Sequence, residues 1–129
     1  MKRLLIPILA FLTLPNVVYS SHLNNQRELK VTSESTKESI ELVKYLNDNG
    51  VVKYSAYWCP NCLDQSELFG KQAYGQLNVV ECAIDGLNSQ TQLCIEKKIK
   101  GFPIWEINGK LILGVLSLKE LSRLTGFKN

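Results

Sequence analysis

The chain has 129 residues, 45% of them hydrophobic and 21% charged, proportions that exclude wholesale disorder and leave room for one domain. The formal charge of +3 overstates its basicity, because taking Lys2 and Arg3 from the 15 basic residues leaves 13 against 12 acidic. A net charge of +1 beyond those two residues gives no nucleic-acid footprint.

The first element is a leader. Met1, Lys2 and Arg3 precede an uncharged apolar run over residues 4–14, followed by Val18, Tyr19 and Ser20, residue types that a signal peptidase accepts. A membrane span needs about 20 apolar residues, and this run is shorter, with Pro7 and Pro15 inside it or at its edge. A secretory signal peptide over residues 1–20 is therefore expected, with an uncleaved anchor as the alternative. Export would place the protein where disulfides persist, soluble after cleavage, and the even count of four cysteines suits pairing there. The single histidine, His22, is far in sequence from every cysteine, which argues against Cys-His proteolysis and histidine-containing zinc sites.

Residues 21–35 are polar and read as a flexible or loosely docked arm. Ser35 and Glu38 have capping-box spacing, and Ile40, Val43 and Leu46 then follow one face, so a helix is expected over residues 36–48 until Asn49-Gly50. Residues 51–57, rich in β-branched and aromatic types, read as a buried strand. A helix over 59–74 follows, with Pro60 in its first turn and Gly75 at its end. Residues 77–84 are nearly continuous in apolar character, as in a strand covered on both faces. Ser89 can cap a helix through Lys98, and Asn108-Gly109 is a type I′ turn signal joining strands 104–107 and 110–113. Ser117 and Glu120 repeat the capping-box spacing for a last helix ended by Gly126. Strand-helix-strand order implies a parallel pair, and the hairpin adds antiparallel strands: a small mixed sheet between two helical layers.

The chemistry centres on Trp58-Cys59-Pro60-Asn61-Cys62. Two thiols at a strand-to-helix junction lie beside unpaired amides and the positive end of the helix dipole, which favour thiolate at Cys59. A thiolate is the attacking species in disulfide exchange. Cys59 is expected to be the nucleophile and Cys62, one turn in, the resolving thiol. A structural disulfide or half a zinc knuckle are the bland readings of a lone CxxC. Cys82 and Cys94, neither in a CxxC nor at a helix start, read as a structural disulfide in preference to a second redox relay, and their spacing argues against a four-thiolate zinc site. Asp64, Glu67 and Lys71 read as a solvated helix face.

Ile99-Lys100-Gly101-Phe102-Pro103-Ile104-Trp105, about forty residues after the CxxC, completes a pattern that resembles the thioredoxin superfamily over residues 36–127. The resemblance implies an α/β thioredoxin-like fold over residues 36–129 whose first strand is short or absent, reduced to something like residues 29–32. It also implies a cis Pro103 opposite the redox pair, with Phe102 and Pro103 binding substrate backbone. Trp58, Tyr57 and Phe102 either form an apolar rim around the pair that meets substrate or belong to the core, and Trp105 is expected in the core. More narrowly, residues 57–62, Asp64-Gln65, residues 67–71, Val80-Glu81-Cys82 and residues 105–110 resemble the thioredoxin-like domain fused to bacterial and plastid homologues of vitamin K epoxide reductase, here expected as a stand-alone exported protein.

That resemblance implies a protein-disulfide oxidoreductase of a periplasm or thylakoid lumen. Its substrates would be cysteines of exported proteins, and a membrane-embedded, quinone-linked protein of the vitamin K epoxide reductase type would reoxidise it in trans. With no flavin or nicotinamide motif, no cofactor or metal is expected, and the protein is expected to be a monomer. A reductase serving a maturation pathway, or a redox-inert binding module, are the competing functions. Two departures stand out. Thioredoxins have a buried acid six residues before the first cysteine, where this chain has Lys53, which either lies near the sulfurs or reaches solvent at the sheet edge. Strongly oxidising relatives often have histidine where this chain has Asn61.

Overall fold

The computed structural model describes residues 27–129; the expected signal peptide, the first part of the polar arm and His22 lie outside them. Helix α1, Lys37–Asp48, buries Ser39, Leu42, Val43 and Leu46. Its N-cap is Thr36, not Ser35: the Thr36 hydroxyl accepts from the Ser39 amide at 3.0 Å. Ser35 instead accepts from the Ala73 amide at 2.9 Å, so its hydroxyl serves a different helix. Ile40, expected on the buried face, sits at its exposed edge, and Leu42 takes the inward place.

Strand β1, Val52–Ser55, is followed by α2, Pro60–Phe69, and α3, Lys71–Tyr74. The sequence pattern runs through as one helix, but the chain breaks at Gly70, whose φ of +81° favours glycine. The cause is tertiary. The arm crosses there, the Lys71 amide donates to the Ser33 carbonyl at 2.8 Å, and a Cβ on Gly70 would stand 2.4 Å from the Ser35 nitrogen.

Strand β2, Val79–Glu81, is shorter than the apolar run 77–84 suggests. Beyond Cys82, whose amide donates to the Ser55 carbonyl, the chain turns away, and Ile84 is 84% exposed instead of covered. Helix α4, Thr91–Glu96, starts later than expected, because the Ser89 hydroxyl bonds the Thr91 hydroxyl and caps nothing. Strands β3, Ile104–Ile107, and β4, Lys110–Leu113, meet at Asn108 and Gly109, both at positive φ as a type I′ turn requires. Helix α5, Leu118–Thr125, is capped by Ser117 and stops at Gly126 in the left-handed region.

The sheet order is β2-β1-β3-β4, with β1 and β2 parallel and the other pairs antiparallel. This is a mixed α/β sheet with the thioredoxin-like arrangement. Among the described residues no strand precedes α1, and residues 29–32 form none. One sheet face packs Trp105 and Ile107 against Leu42, Leu46, Phe69, Ala73 and Leu121. The other carries Tyr54, Val80 and Ile104 under Cys82, Cys94 and the α4 side chain Leu93. Among the described residues no helix is long and apolar enough to cross a membrane.

Residues 28–35, read from sequence as arm, lie along α2 and α3, while the Arg27 carbonyl accepts from the Leu87 amide in the loop after β2 at 3.0 Å. The Glu67 carboxylate accepts the amides of Thr32 and Ser33, each at 2.8 Å. Hydrogen bonds from Ser33 and then Thr32 hold its pKa down at about 2. Because the folded value lies below the ordinary 4.5, this contribution is complete above pH 4.5 and disappears as pH falls through about 2. Glu67→Gln should speed hydrogen exchange of the Thr32 and Ser33 amides at neutral pH without altering the core amides of β1; unchanged exchange would mean that the carboxylate does not hold the arm.

Candidate active site

Pro60 opens α2 where its missing N–H costs nothing, and Cys59 immediately before it takes the N-cap position with extended backbone. Its sulfur accepts from the Cys62 amide at 3.3 Å, so the first turn of the helix presents a donor directly to the Cys59 sulfur. Both cysteines carry free thiols. Cys59 is 7% exposed and Cys62 is sealed at 0%, which leaves Cys59 the accessible member. Burial, and then the hydrogen bond with Cys59, push the Cys62 thiol up to about 11, against the opposing pull of the neighbouring Ser55 side chain, the Ala56 backbone and, smallest of these, positive Lys53.

The Phe102–Pro103 peptide bond is cis. It brings the Phe102 carbonyl to 3.7 Å from the Cys59 sulfur, with the thiol donating. Trp58 is 60% exposed and meets the Phe102 ring edge-on at 6.0 Å, so these two aromatics form a partly open apolar wall beside Cys59. Trp105 belongs to the core: fully buried, it packs on Phe69 and donates its indole N–H to Gln65 at 3.2 Å. Cys82 and Cys94 are joined by a disulfide on the opposite sheet face.

Lys53 is placed where sequence offered two positions. It lies in β1 between β2 and β3, fully buried, and never reaches the sheet edge. Its Nζ donates to the Cys62 carbonyl at 3.1 Å and to the Ser66 hydroxyl at 2.8 Å, and sits 4.8 Å from the centre of the Tyr74 ring. Burial lowers its pKa to about 8, against the pull of Cys62, Cys59 and Glu81. The Ser66 hydroxyl in turn donates to the Cys62 carbonyl at 2.6 Å. Ser55 and Glu81 stand opposite each other on the next inward-facing rung, and the buried Ser55 hydroxyl finds no hydrogen-bond partner among the described residues.

Sequence reasoning passed over Ser55, Ser66, Tyr74 and Leu29, the last of which packs against the cluster holding Cys59, Cys62 and Ala83. Only Ser66 carried a usable signal, four residues after Cys62 and so one helical turn beneath it. Asp64 and Lys71 are exposed, Lys71 pairing with Glu34 as a solvated face would, but Glu67 between them binds the arm instead. No cluster of three or more potential metal ligands occurs among the described residues.

A parallel β1–β2 pair, antiparallel β3 and β4, a cysteine capping α2 and a cis proline facing it together define a protein of the thioredoxin-like fold with a dithiol at its helix N-terminus. No protein-family model matches the chain. Over 101 residues it is 43% identical to thiol-disulfide oxidoreductase LTO1 of Arabidopsis thaliana, a match covering 76% of this chain and 27% of that protein. The chain thus spans about a quarter of the length of this relative.

Proposed function

We propose that the chain is an exported thiol-disulfide oxidoreductase that exchanges disulfides with cysteines of other exported proteins, with Cys59 attacking and Cys62 resolving. The observation that carries this reading is the Cys59 sulfur at the α2 N-terminus, receiving the Cys62 amide and facing the carbonyl before a cis proline. The thiol-disulfide oxidoreductase activity for which the Arabidopsis relative is named supports it. Trp58, Phe102 and Pro103 supply the surface against which an extended substrate segment lies, and the backbone of Phe102 offers it a strand-like partner.

The direction we favour is oxidative folding in a periplasm or thylakoid lumen, with reoxidation by a quinone-linked membrane protein of the vitamin K epoxide reductase type. Support for export is the apolar leader, and support for the partner is the sequence resemblance to domains fused to such proteins. A dithiol enzyme turns over only when something restores its starting state. The pair should have a potential between roughly −120 and −270 mV, the span from strong oxidants to thioredoxin.

The test is a pair of variants in cells. Cys59→Ser should abolish mixed disulfides, whereas Cys62→Ser should accumulate them, because the attacking thiol remains and the resolving one is gone. Adducts recovered from Cys62→Ser should contain exported substrates and a quinone-linked membrane protein. Adducts composed only of reductive-pathway proteins would overturn the oxidative assignment, and an absence of adducts would overturn the enzyme.

A further inference from the structure

We infer that Lys53 is a positioning residue for disulfide exchange, a buried cation that stabilises negative charge on Cys62 as its sulfur leaves or attacks. The inference rests on the redox reading of Cys59 and Cys62 and assigns the part of the site that reading leaves unexplained. A fully buried lysine is rare unless paired, and Lys53 makes no salt bridge among the described residues. Its ammonium is anchored to the carbonyl of Cys62 itself and to Ser66, one turn below, so its charge is fixed against the residue whose sulfur must become anionic.

The groups facing it allow few other purposes. From α2 these are Cys59 and Cys62, from α3 the phenol of Tyr74, and from β2 the carboxylate of Glu81, while β3 opposes it with uncharged Trp105. The Glu81 carboxylate accepts the Ala83 amide at 2.8 Å and makes no contact with Nζ within salt-bridge distance.

A glutathione thiolate attacks the Cys59 sulfur of the Cys59–Cys62 disulfide, forming a glutathione–Cys59 bond; the Cys59–Cys62 bond breaks, and its electron pair leaves on Cys62 as thiolate beside the Lys53 ammonium. A second glutathione thiolate attacks the glutathione sulfur of that mixed disulfide, releasing oxidised glutathione and the Cys59 thiolate, so two electrons enter the protein. In reverse, the Cys62 thiolate attacks Cys59 and expels the partner thiolate. Exchange is faster when the leaving thiol has a lower pKa, and a nearby opposite charge lowers a pKa by about 1–3 units, so Lys53 should speed disulfide opening about tenfold.

The experiment measures glutathione opening of the oxidised full chain by the fluorescence of exposed Trp58, with rates expressed per glutathione thiolate, from pH 6.5 to 9.5. Wild-type rates should fall about tenfold as Lys53 loses its proton, at or somewhat below pH 8, because the oxidised pair lacks the thiolates that raise its pKa. Lys53→Met and Lys53→Gln should both be slow and flat with pH. Glutamine can still donate to the Cys62 carbonyl and Ser66 but carries no charge, so restoration of wild-type rates by Lys53→Gln would overturn the inference and leave a structural hydrogen bond. A flat wild-type profile would also overturn it, and that measurement decides the matter if the variants do not fold. If glutathione opens no Cys59–Cys62 disulfide in the wild type, both this inference and the redox reading fail; if all three proteins open equally fast, only this inference fails.

Discussion

Lys53→Met should raise the unfolding free energy at neutral pH by about 2 kcal/mol, even though it slows exchange, because the ammonium is held in the core at a cost. Burial takes its pKa from 10.5 to about 8, and each unit corresponds to about 1.4 kcal/mol, so the charged form is disfavoured by about 3.5 kcal/mol. Hydrogen bonds to the Cys62 carbonyl and Ser66 return about 1.5 kcal/mol of this. The carbonyl keeps the Ser66 hydroxyl as donor after the substitution, so nothing buried is orphaned there. Methionine has a similar unbranched stem and fills the same channel.

The pH dependence follows from the direction of the shift. Between about pH 8 and 10.5 the unfolded chain holds the Lys53 proton and the folded chain does not, so wild-type stability rises with pH across that window. The advantage of Lys53→Met should therefore be largest below pH 8 and shrink toward pH 10.5. Chemical denaturation at pH 7 and pH 10 checks both parts; a variant less stable than wild type at pH 7 would mean that the lysine's contacts outweigh its desolvation. A residue that costs stability and speeds chemistry is what a site under functional demand should contain.

The second large effect is expected from removing the Cys82–Cys94 disulfide. It closes a loop between positions twelve apart, and the loop-entropy relation gives about 3 kcal/mol for such a span. Both half-cystines are buried against Tyr54, Val80 and Ile104, so the double substitution Cys82→Ala, Cys94→Ala also loses packing there. For a domain of this size, the melting temperature should fall by roughly 10–20 °C. Disulfide exchange at Cys59 should survive in the folded fraction, since the two pairs lie in separate clusters. A double variant that melts like wild type but cannot exchange disulfides would reverse the assignment and make the second pair a relay.

Sequence was most informative where the determinant is local. The type I′ turn at Asn108-Gly109, the Ser117 cap and the Gly126 stop depend on a few neighbouring residues, and β3, β4 and α5 lie where the pattern put them. The spacing of Cys59 and Cys62 likewise states its chemistry, because two intervening residues at a helix start dictate which thiol caps and which is enclosed. Tertiary structure decided the rest. One helical pattern became two helices at Gly70 because residues 33–35 cross it from 35 positions away, and β2 stopped at Glu81 because its neighbour β1 stops at Ser55. Above all, the sequence marks Lys53 as standing where thioredoxins have a buried acid but leaves it two places, near the sulfurs or in solvent at the sheet edge. Whether its ammonium meets solvent or the redox pair depends on which strands flank β1 and on which face α2 covers, and those are set by the packing of segments far apart in the chain.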